Sequence, residues 1–337
     1  MYCVIAYRLV IGYFCYHCFG NYRDEGVGAA AKFLFAPCNV EVMSAKQFFL
    51  DRYARLGWTF REVNLKQSIR INQASGKGKN LPERLYGLGV ELEKIPFLPA
   101  GYWVGKTKVS VGATAEYLLG LYSIQEAAAQ IPATLFSALS GKTVLDACAA
   151  PGGKTVQLAD VMGNSGVITA LDTNKQRLNV MANQLERCHV SNTIVYNVDA
   201  RQAGMLNRKF DRILLDVPCS GNFAGDKDWF YRRTIDDVER NANVQRAILK
   251  EAAACLTDSG EIVYSTCSLE PEEDELNMDW AIKNLGLQIQ KVDCLGANGL
   301  TDVFGKKLDA QVALSRRIWP GETQGFFVCK LKKEAEH

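Results

Sequence analysis

What this chain lacks excludes several architectures. No apolar run is both long and unbroken enough to cross a bilayer. The most hydrophobic stretch, residues 1–20, is interrupted by Arg8 and leads to no clear small-residue cleavage site, so it reads poorly as a signal peptide too. The eleven cysteines show no disulfide framework. In a chain of this length that usage fits a reducing compartment, and a cytoplasmic location is expected. Cys15 and Cys18, with His17 between them, suggest half of a zinc site, but Cys3 and Cys38 supply no second paired spacing, so no metal is expected. A net charge of only +2 names no partner by itself.

What is present begins with ordinary bulk. The 337 residues suffice for one large or two medium domains, and 48% hydrophobic with 23% charged residues is usual for a globular enzyme. The charge is unevenly spread. Ser44 to Ser110 holds 12 Lys and Arg against 5 Asp and Glu, a net of +7; from Val111 onward the counts are 24 and 29, a net of −5. A basic module that holds a polyanion, joined to a mildly acidic catalytic module, fits this asymmetry, and so does a solvated charged face. The expected division is a dispensable extension over 1–42, a basic α+β module over 43–111, and connecting helices with a catalytic domain over 112–337.

Periodicity refines that outline. Phe48, Phe49, Tyr53 and Leu56, with charges between them, predict a helix over 44–58. Residues 68–72 alternate like a strand, 73–80 read as a polar loop, 81–87 as a short helix, and 90–98 as a strand. Residues 116–138 look helix-rich. Beyond Lys142, short apolar runs at 143–147, 167–171, 193–197, 212–216 and 261–265 alternate with helical patterns at 154–161, 175–187 and 236–256. Such alternation predicts an α/β fold, a parallel sheet wrapped by helices, with ligands bound beyond the carboxyl ends of the strands.

The chemistry-bearing residues fall at those ends. Cys148-Ala149-Ala150-Pro151-Gly152-Gly153-Lys154 follows the first strand and opens its helix. Paired glycines allow close backbone approach, and free amides at a helix start favour a carboxylate. The spacing is neither that of a phosphate-binding P-loop nor the Gly-x-Gly-x-x-Gly of a dinucleotide site. Asp172 ends the second strand, where a carboxylate can accept both hydroxyls of a ribose; Asp199 follows the third, placed for an adenine edge; Asp216 ends the fourth. Each alone is also consistent with a helix cap. Three acids at successive strand ends favour a ligand site.

Two cysteines leave neighbouring strands. Asp216-Val217-Pro218-Cys219-Ser220-Gly221 closes the fourth strand, and Ser265-Thr266-Cys267-Ser268 closes the fifth, followed by Leu269-Glu270-Pro271-Glu272-Glu273. Adjacent strands lie about 4.8 Å apart, so both thiols can face one pocket. With Ala-Pro-Gly-Gly-Lys, the segment Gly112-Ala113-Thr114-Ala115-Glu116-Tyr117, and Gly325-Phe326-Phe327, this set resembles the RsmB/NOP/Sun family of RNA cytosine-5 methyltransferases over about Ile69 to Lys332.

The resemblance implies a Rossmann-like class I methyltransferase domain with a smaller N-terminal α+β RNA-binding module. It implies S-adenosylmethionine as methyl donor, held by residues 148–154, Asp172, Asp199 and Asp216. It implies Cys267 as the nucleophile, Cys219 as the group that assists product release, Asp216 as a contact to the base, and Lys154 as a positioning residue. Carbon 5 of cytosine is too weak a nucleophile to take a methyl group unaided, and a thiolate adding to carbon 6 makes it enamine-like. Cys148 is expected to matter through its backbone; Cys188, Cys255, Cys294 and Cys329 are expected to be packing residues. RNA is the expected partner, with Arg70, Lys77 and Lys79 as phosphate contacts and Arg232, Arg233, Arg316 and Arg317 continuing the track or lying on an ordinary surface. No membrane and no obligate protein partner are expected. A DNA cytosine methyltransferase and a non-catalytic RNA-binding assembly factor are the rivals; the first takes its nucleophile from Pro-Cys and lacks the second cysteine motif. The lack of long charged tails favours tRNA over rRNA. A chain beginning at Met43 is expected to fold and remain active, as circular dichroism and a methyl-transfer assay would show; loss of either would make 1–42 functional.

Overall fold

The computed structural model describes residues 44–73, 78 and 80–334. The 1–42 segment, with its Cys15–Cys18 pair, and the expected RNA contacts Lys77 and Lys79 lie outside these. The described chain opens with α1 (Ala45–Arg55), whose Ser44 side chain accepts the Gln47 amide at 3.1 Å and so caps the first turn. Phe49 and Tyr53, four residues apart, lie on one face of α1 and are buried.

A four-stranded antiparallel sheet follows, in the order β2-β3-β1-β4. It is built from β1 (Ser68–Ile71), α2 (Leu81–Gly87), β2 (Val90–Lys94), β3 (Gly101–Thr107), α3 (Ala115–Leu118) and β4 (Tyr122–Ile124). The strand expected over 90–98 stops at Lys94. Pro96 has no N–H for a ladder, and the Leu98 amide turns back to the Ile95 carbonyl at 3.2 Å. The chain then returns as β3, which the sequence reading lacked. The sheet also reaches past residue 111, because β4 pairs with β1. The helix-rich reading of 116–138 is corrected: apart from α3 the segment is strand β4 and two single 3₁₀ turns, Ala128–Gln130 and Pro132–Thr134. Ala127, Ala128, Ile131 and Ala133 are all buried, and residues 127–133 have no solvent face to give a helical stripe.

The second layer runs β5 (Thr143–Asp146), α4 (Gly153–Val161), β6 (Val167–Leu171), α5 (Lys175–Arg187), β7 (Thr193–Tyr196), β8 (Phe210–Asp216), α6 (Trp229–Arg232), α7 (Ile235–Cys255), β9 (Leu256–Thr266), α8 (Glu275–Leu285), β10 (Leu287–Gln290), β11 (Ala297–Asn298), β12 (Asp302–Val303), β13 (Lys306–Lys307), β14 (Arg316–Ile318) and β15 (Phe326–Lys333). The large sheet has the order β11-β14-β15-β9-β8-β5-β6-β7, with β10 also on β15. The five strands β5 to β9 are parallel, but β15 enters antiparallel beside β9, and β14 and β10 pair along its other edge. The sheet is therefore mixed rather than purely parallel. From β5 the chain goes outward to β6 and β7, then returns to β8 and β9. The reversal leaves a crevice at the carboxyl ends of β5 and β8, where ligands bind in open α/β sheets. Among the described residues no helix is long and apolar enough to cross a membrane.

Arg70, expected on RNA, and Arg317, expected either on the RNA track or on an ordinary surface, face inward instead. Arg70 is 2% exposed and pairs with Asp160 at 2.8 Å, since β1 is buried along its whole length. Arg317 is 1% exposed; its guanidinium pairs with Glu275, lies 3.2 Å from Asp274 and donates to the Leu269 carbonyl at 2.9 Å. Arg316 is half-buried and bonds Asn298. Arg232 stays exposed, with Asp226 and Asp228 as partners, and Arg233 is half-buried. Arg317→Ala leaves two buried carboxylates without their cation, so we expect a loss of about 3–5 kcal/mol of stability. Urea unfolding measures it; an unchanged midpoint would show that water replaces the guanidinium.

Candidate active site

The cofactor-type loop is held by backbone geometry. The Ala149 amide donates to the Leu171 carbonyl at 2.8 Å, and the Gly152 amide to the Ala149 carbonyl at 2.8 Å. Gly152 has φ +101°, and a Cβ there would sit 2.9 Å from Met181 Cγ, so conformation and space both require glycine. Beneath the loop Asp146 is 1% exposed and accepts the Thr155 hydroxyl at 2.7 Å; burial pushes its carboxyl up to about 7.

A cavity of about 410 Å³ opens at the crevice. Of the residues singled out in the sequence, Cys148, Ala150, Asp172, Asp199, Asp216, Cys219 and Cys267 line it. Ala149 and Pro151 to Lys154 form the turn and helix start behind them, without lining it. Asp172 accepts the Asn174 amide at 2.8 Å and lies 3.3 Å from Arg177. Asp199 is held below its ordinary value by hydrogen bonds from Arg201, whose Nη2 is 2.6 Å away. Burial raises the Cys148 thiol well above its usual range.

Sequence reasoning missed other parts of the wall, among them Thr173, Arg177, Arg201, Val244 and Ile248, with Val198 and Ala200 on either side of Asp199. Arg177 carried a weak local signal, because it follows Asn174, which caps α5 by accepting the Gln176 and Arg177 amides. Val244 and Ile248 carried none, since they come from the middle of α7 and read as ordinary core positions.

At the far end of the cavity Cys219 Sγ and Cys267 Sγ are 3.3 Å apart. Lys154 Nζ lies 2.7 Å from Asp216 Oδ2, and Ser265 Oγ donates to Asp216 Oδ1 at 3.0 Å. Burial opposes the Lys154 charge, but Asp216 more than compensates and raises its pKa. The two thiols separate in character. Cys267 is lowered by its hydrogen bond with Cys219, with help from the Lys154 charge. Cys219 is raised well above its ordinary value by that same bond and by burial. One sulfur is thus the readier thiolate and the other the more basic partner. Cys255 and Cys329 are buried, and Cys188 and Cys294 half-buried, all four as free thiols. Among the described residues no group of three or more His, Cys, Asp and Glu is placed to hold a metal ion.

Comparison with known proteins identifies the family of the chain. The family model for the 16S rRNA methyltransferase RsmB/F matches residues 133–332, and that for the N-terminal domain of the 16S rRNA methyltransferase RsmF matches residues 43–127. The 28S rRNA (cytosine-C(5))-methyltransferase of Mus musculus is 34% identical over 282 residues, which cover 81% of this chain but only 36% of that protein. The chain thus spans about a third of that relative's length. The tRNA (cytosine(49)-C(5))-methyltransferase of Pyrococcus abyssi is 31% identical, covering 84% of this chain and 95% of the relative. The crystal structure of a methyltransferase homolog protein from Pyrococcus horikoshii superposes with a TM-score of 0.79 at 35% identity, covering 86% of this chain and 95% of that one. With a Rossmann-like sheet, an N-terminal domain ahead of it and relatives of this kind, the chain belongs to the RsmB/F family of RNA cytosine-C5 methyltransferases.

Proposed function

We propose that this protein transfers a methyl group from S-adenosylmethionine to carbon 5 of a cytosine in tRNA, with Cys267 as nucleophile and Cys219 as the group that frees the product. The observation that carries this reading is the 3.3 Å contact between the two thiols at the end of an acid-lined cavity. The residues present suit the methyl donor. A cavity of about 410 Å³ lies in the usual range for small-molecule sites, roughly 300–1,000 Å³. Asp172 and Asp199 offer acceptors for ribose hydroxyls and an adenine amino group, and Val198, Ala200, Val244 and Ile248 offer an apolar wall. When bound, the donor supplies an electrophilic methyl group on a sulfonium.

The chain's own residues do the rest. The Cys267 thiolate adds to carbon 6 of the cytosine, and the electron pair released by that addition makes carbon 5 nucleophilic. Asp216 stabilises a proton on ring nitrogen 3, and Lys154 holds Asp216 in place. Once carbon 5 carries the methyl group, Cys219, having first released its own proton to solvent, takes the remaining proton from carbon 5 as a thiolate. The electron pair left behind then expels Cys267 from carbon 6. Water exclusion and pre-set geometry favour each transfer. A base stacked in a helix hides carbon 6, so the cytosine must be unpaired or flipped out. The net positive charge over 44–110 supports phosphate contacts; Lys106 and Lys108 at the end of β3 are exposed for this, whereas Arg70 is not. The choice of tRNA is supported by the Pyrococcus abyssi relative, which the chain matches along 95% of its length. The rRNA reading is favoured by the names of both matching family models.

Two measurements test the proposal. Bisulfite sequencing of RNA from cells lacking the gene is expected to show a 5-methylcytosine lost from tRNA; a loss confined to rRNA would move the substrate, and no loss anywhere would remove the activity. Incubated with substrate RNA and methyl donor, Cys219→Ala is expected to accumulate a covalent RNA adduct on denaturing gels, and Cys267→Ala to form none. The reverse pattern would exchange the two roles.

A further inference from the structure

The loop beyond Cys267 carries a buried carboxylate that the chemistry above does not use. Glu273 is fully buried and lines no part of the cofactor cavity. Its carboxylate accepts the Ser220 amide at 3.0 and 3.2 Å and the Ser220 hydroxyl at 2.7 Å, both from the residue that follows Cys219. Ser220 Oγ in turn lies 3.1 Å from Ser268 Oγ, the residue that follows Cys267. Gln245 of α7 donates to Glu273 at 3.3 Å and to the Pro218 carbonyl at 2.9 Å, on the other side of Cys219.

These contacts have a common geometry. The residues flanking Cys219 are tied to a carboxylate carried by the loop that holds Cys267. A charged acceptor is the appropriate tie, because hydrogen bonds to a carboxylate are roughly twice as strong as neutral ones. A buried carboxylate is costly to keep, and burial raises the Glu273 carboxyl above its ordinary value. Three donors from two neighbouring elements, making four contacts, offset part of that cost here. A backbone amide of a loop is otherwise free to turn to water, and with it the thiol next along the chain.

We propose that Glu273 is a positioning residue for the cysteine pair: by gripping Ser220 it holds the Cys219 thiol against Cys267. The inference rests on the two-cysteine reading above, but its geometric half can be measured without RNA. Diamide oxidises a vicinal pair of thiols; it takes up two electrons and both thiol protons, becoming the hydrazine, as the S–S bond forms. Sulfurs 3.3 Å apart need to close only to about 2.05 Å, so the native pair should oxidise readily, read as the linked Cys219–Cys267 peptide by mass spectrometry.

Glu273→Gln keeps the side-chain volume and loses the charge and one acceptor. With thermal melting confirming a folded protein, this variant is expected to form the Cys219–Cys267 disulfide about tenfold more slowly and to lose about 10- to 100-fold in kcat, a cost in line with a small misplacement of reacting groups. KM for RNA and for methyl donor should be unchanged. Ser220→Ala, which removes only the hydroxyl, should move both rates in the same direction by less. If Glu273→Gln does not fold, Ser220→Ala carries the test alone. A folded variant with native oxidation rate and native kcat overturns the proposal, as does a loss confined to KM. Full activity in Cys267→Ala would sink the two-cysteine mechanism instead, while the oxidation rates would still report on the grip of Glu273.

Discussion

Parallel strands run side by side and end together, so two loops leaving neighbouring parallel strands start from nearly the same place. Here β8 and β9 pair in a register that sets Asp216 opposite Ser265, and the next residues of each strand carry the chain to Cys219 and Cys267. The 3.3 Å sulfur contact follows from that register plus the short turns beyond it. A shift of one residue in either strand would turn every side chain to the opposite face and send one thiol away from the cavity. The Ser265–Asp216 hydrogen bond at 3.0 Å belongs to the same row, and through Asp216 it reaches Lys154 at the start of α4. Two strands and a helix thereby meet at one carboxylate.

The ground behind the cysteine loops is unusually charged for a protein interior. Glu270, Glu273, Asp274 and Glu275 are all buried, with Arg317 fully buried among them. Arg52 of α1 reaches the same loop, 3.1 Å from Glu270 and 2.7 Å from Glu272, while burial pushes the Glu270 carboxyl up to about 7. Buried ion pairs contribute little net stability, because desolvation takes back most of what attraction supplies. Their value here is positional: each fork of a guanidinium fixes the direction of a carboxylate and the backbone that carries it. Helix α1 adds an apolar hold, with Phe49 4.6 Å from Trp229, whose indole N–H donates to the Ser220 carbonyl at 2.8 Å. The first described helix thus supports both cysteine-bearing loops, although more than 160 residues of sequence intervene before Cys219.

Legibility in the sequence varied with how local the physics was. The strand at 167–171 and the helix at 175–187 have the bounds their patterns predict, because each shows the buried face its own residues set. The strand expected from Glu261 begins instead at Leu256, directly after α7, and β3, β14 and β15 were not foreseen. In β15 six consecutive residues from Phe326 are buried, including Lys330, so it lacks the alternation that marks a strand with one wet face. Arg70 and Arg317 carry no local mark that separates an internal ion pair from a nucleic-acid contact.

The residues that can do chemistry were therefore determined by sequence alone: two thiols in distinct motifs, a glycine turn opening a helix, and acids at strand ends. These are properties of residue type and near spacing, which the chain carries wherever it goes. Which thiol is the more acidic, which arginines turn inward and which carboxylate grips which loop were decided only by the tertiary structure. Each depends on burial and on partners from distant segments, as with Lys154 beside Asp216 and Glu273 beneath Ser220. Electrostatic energies inside a protein scale with separation and local polarity, and neither exists until the chain has folded.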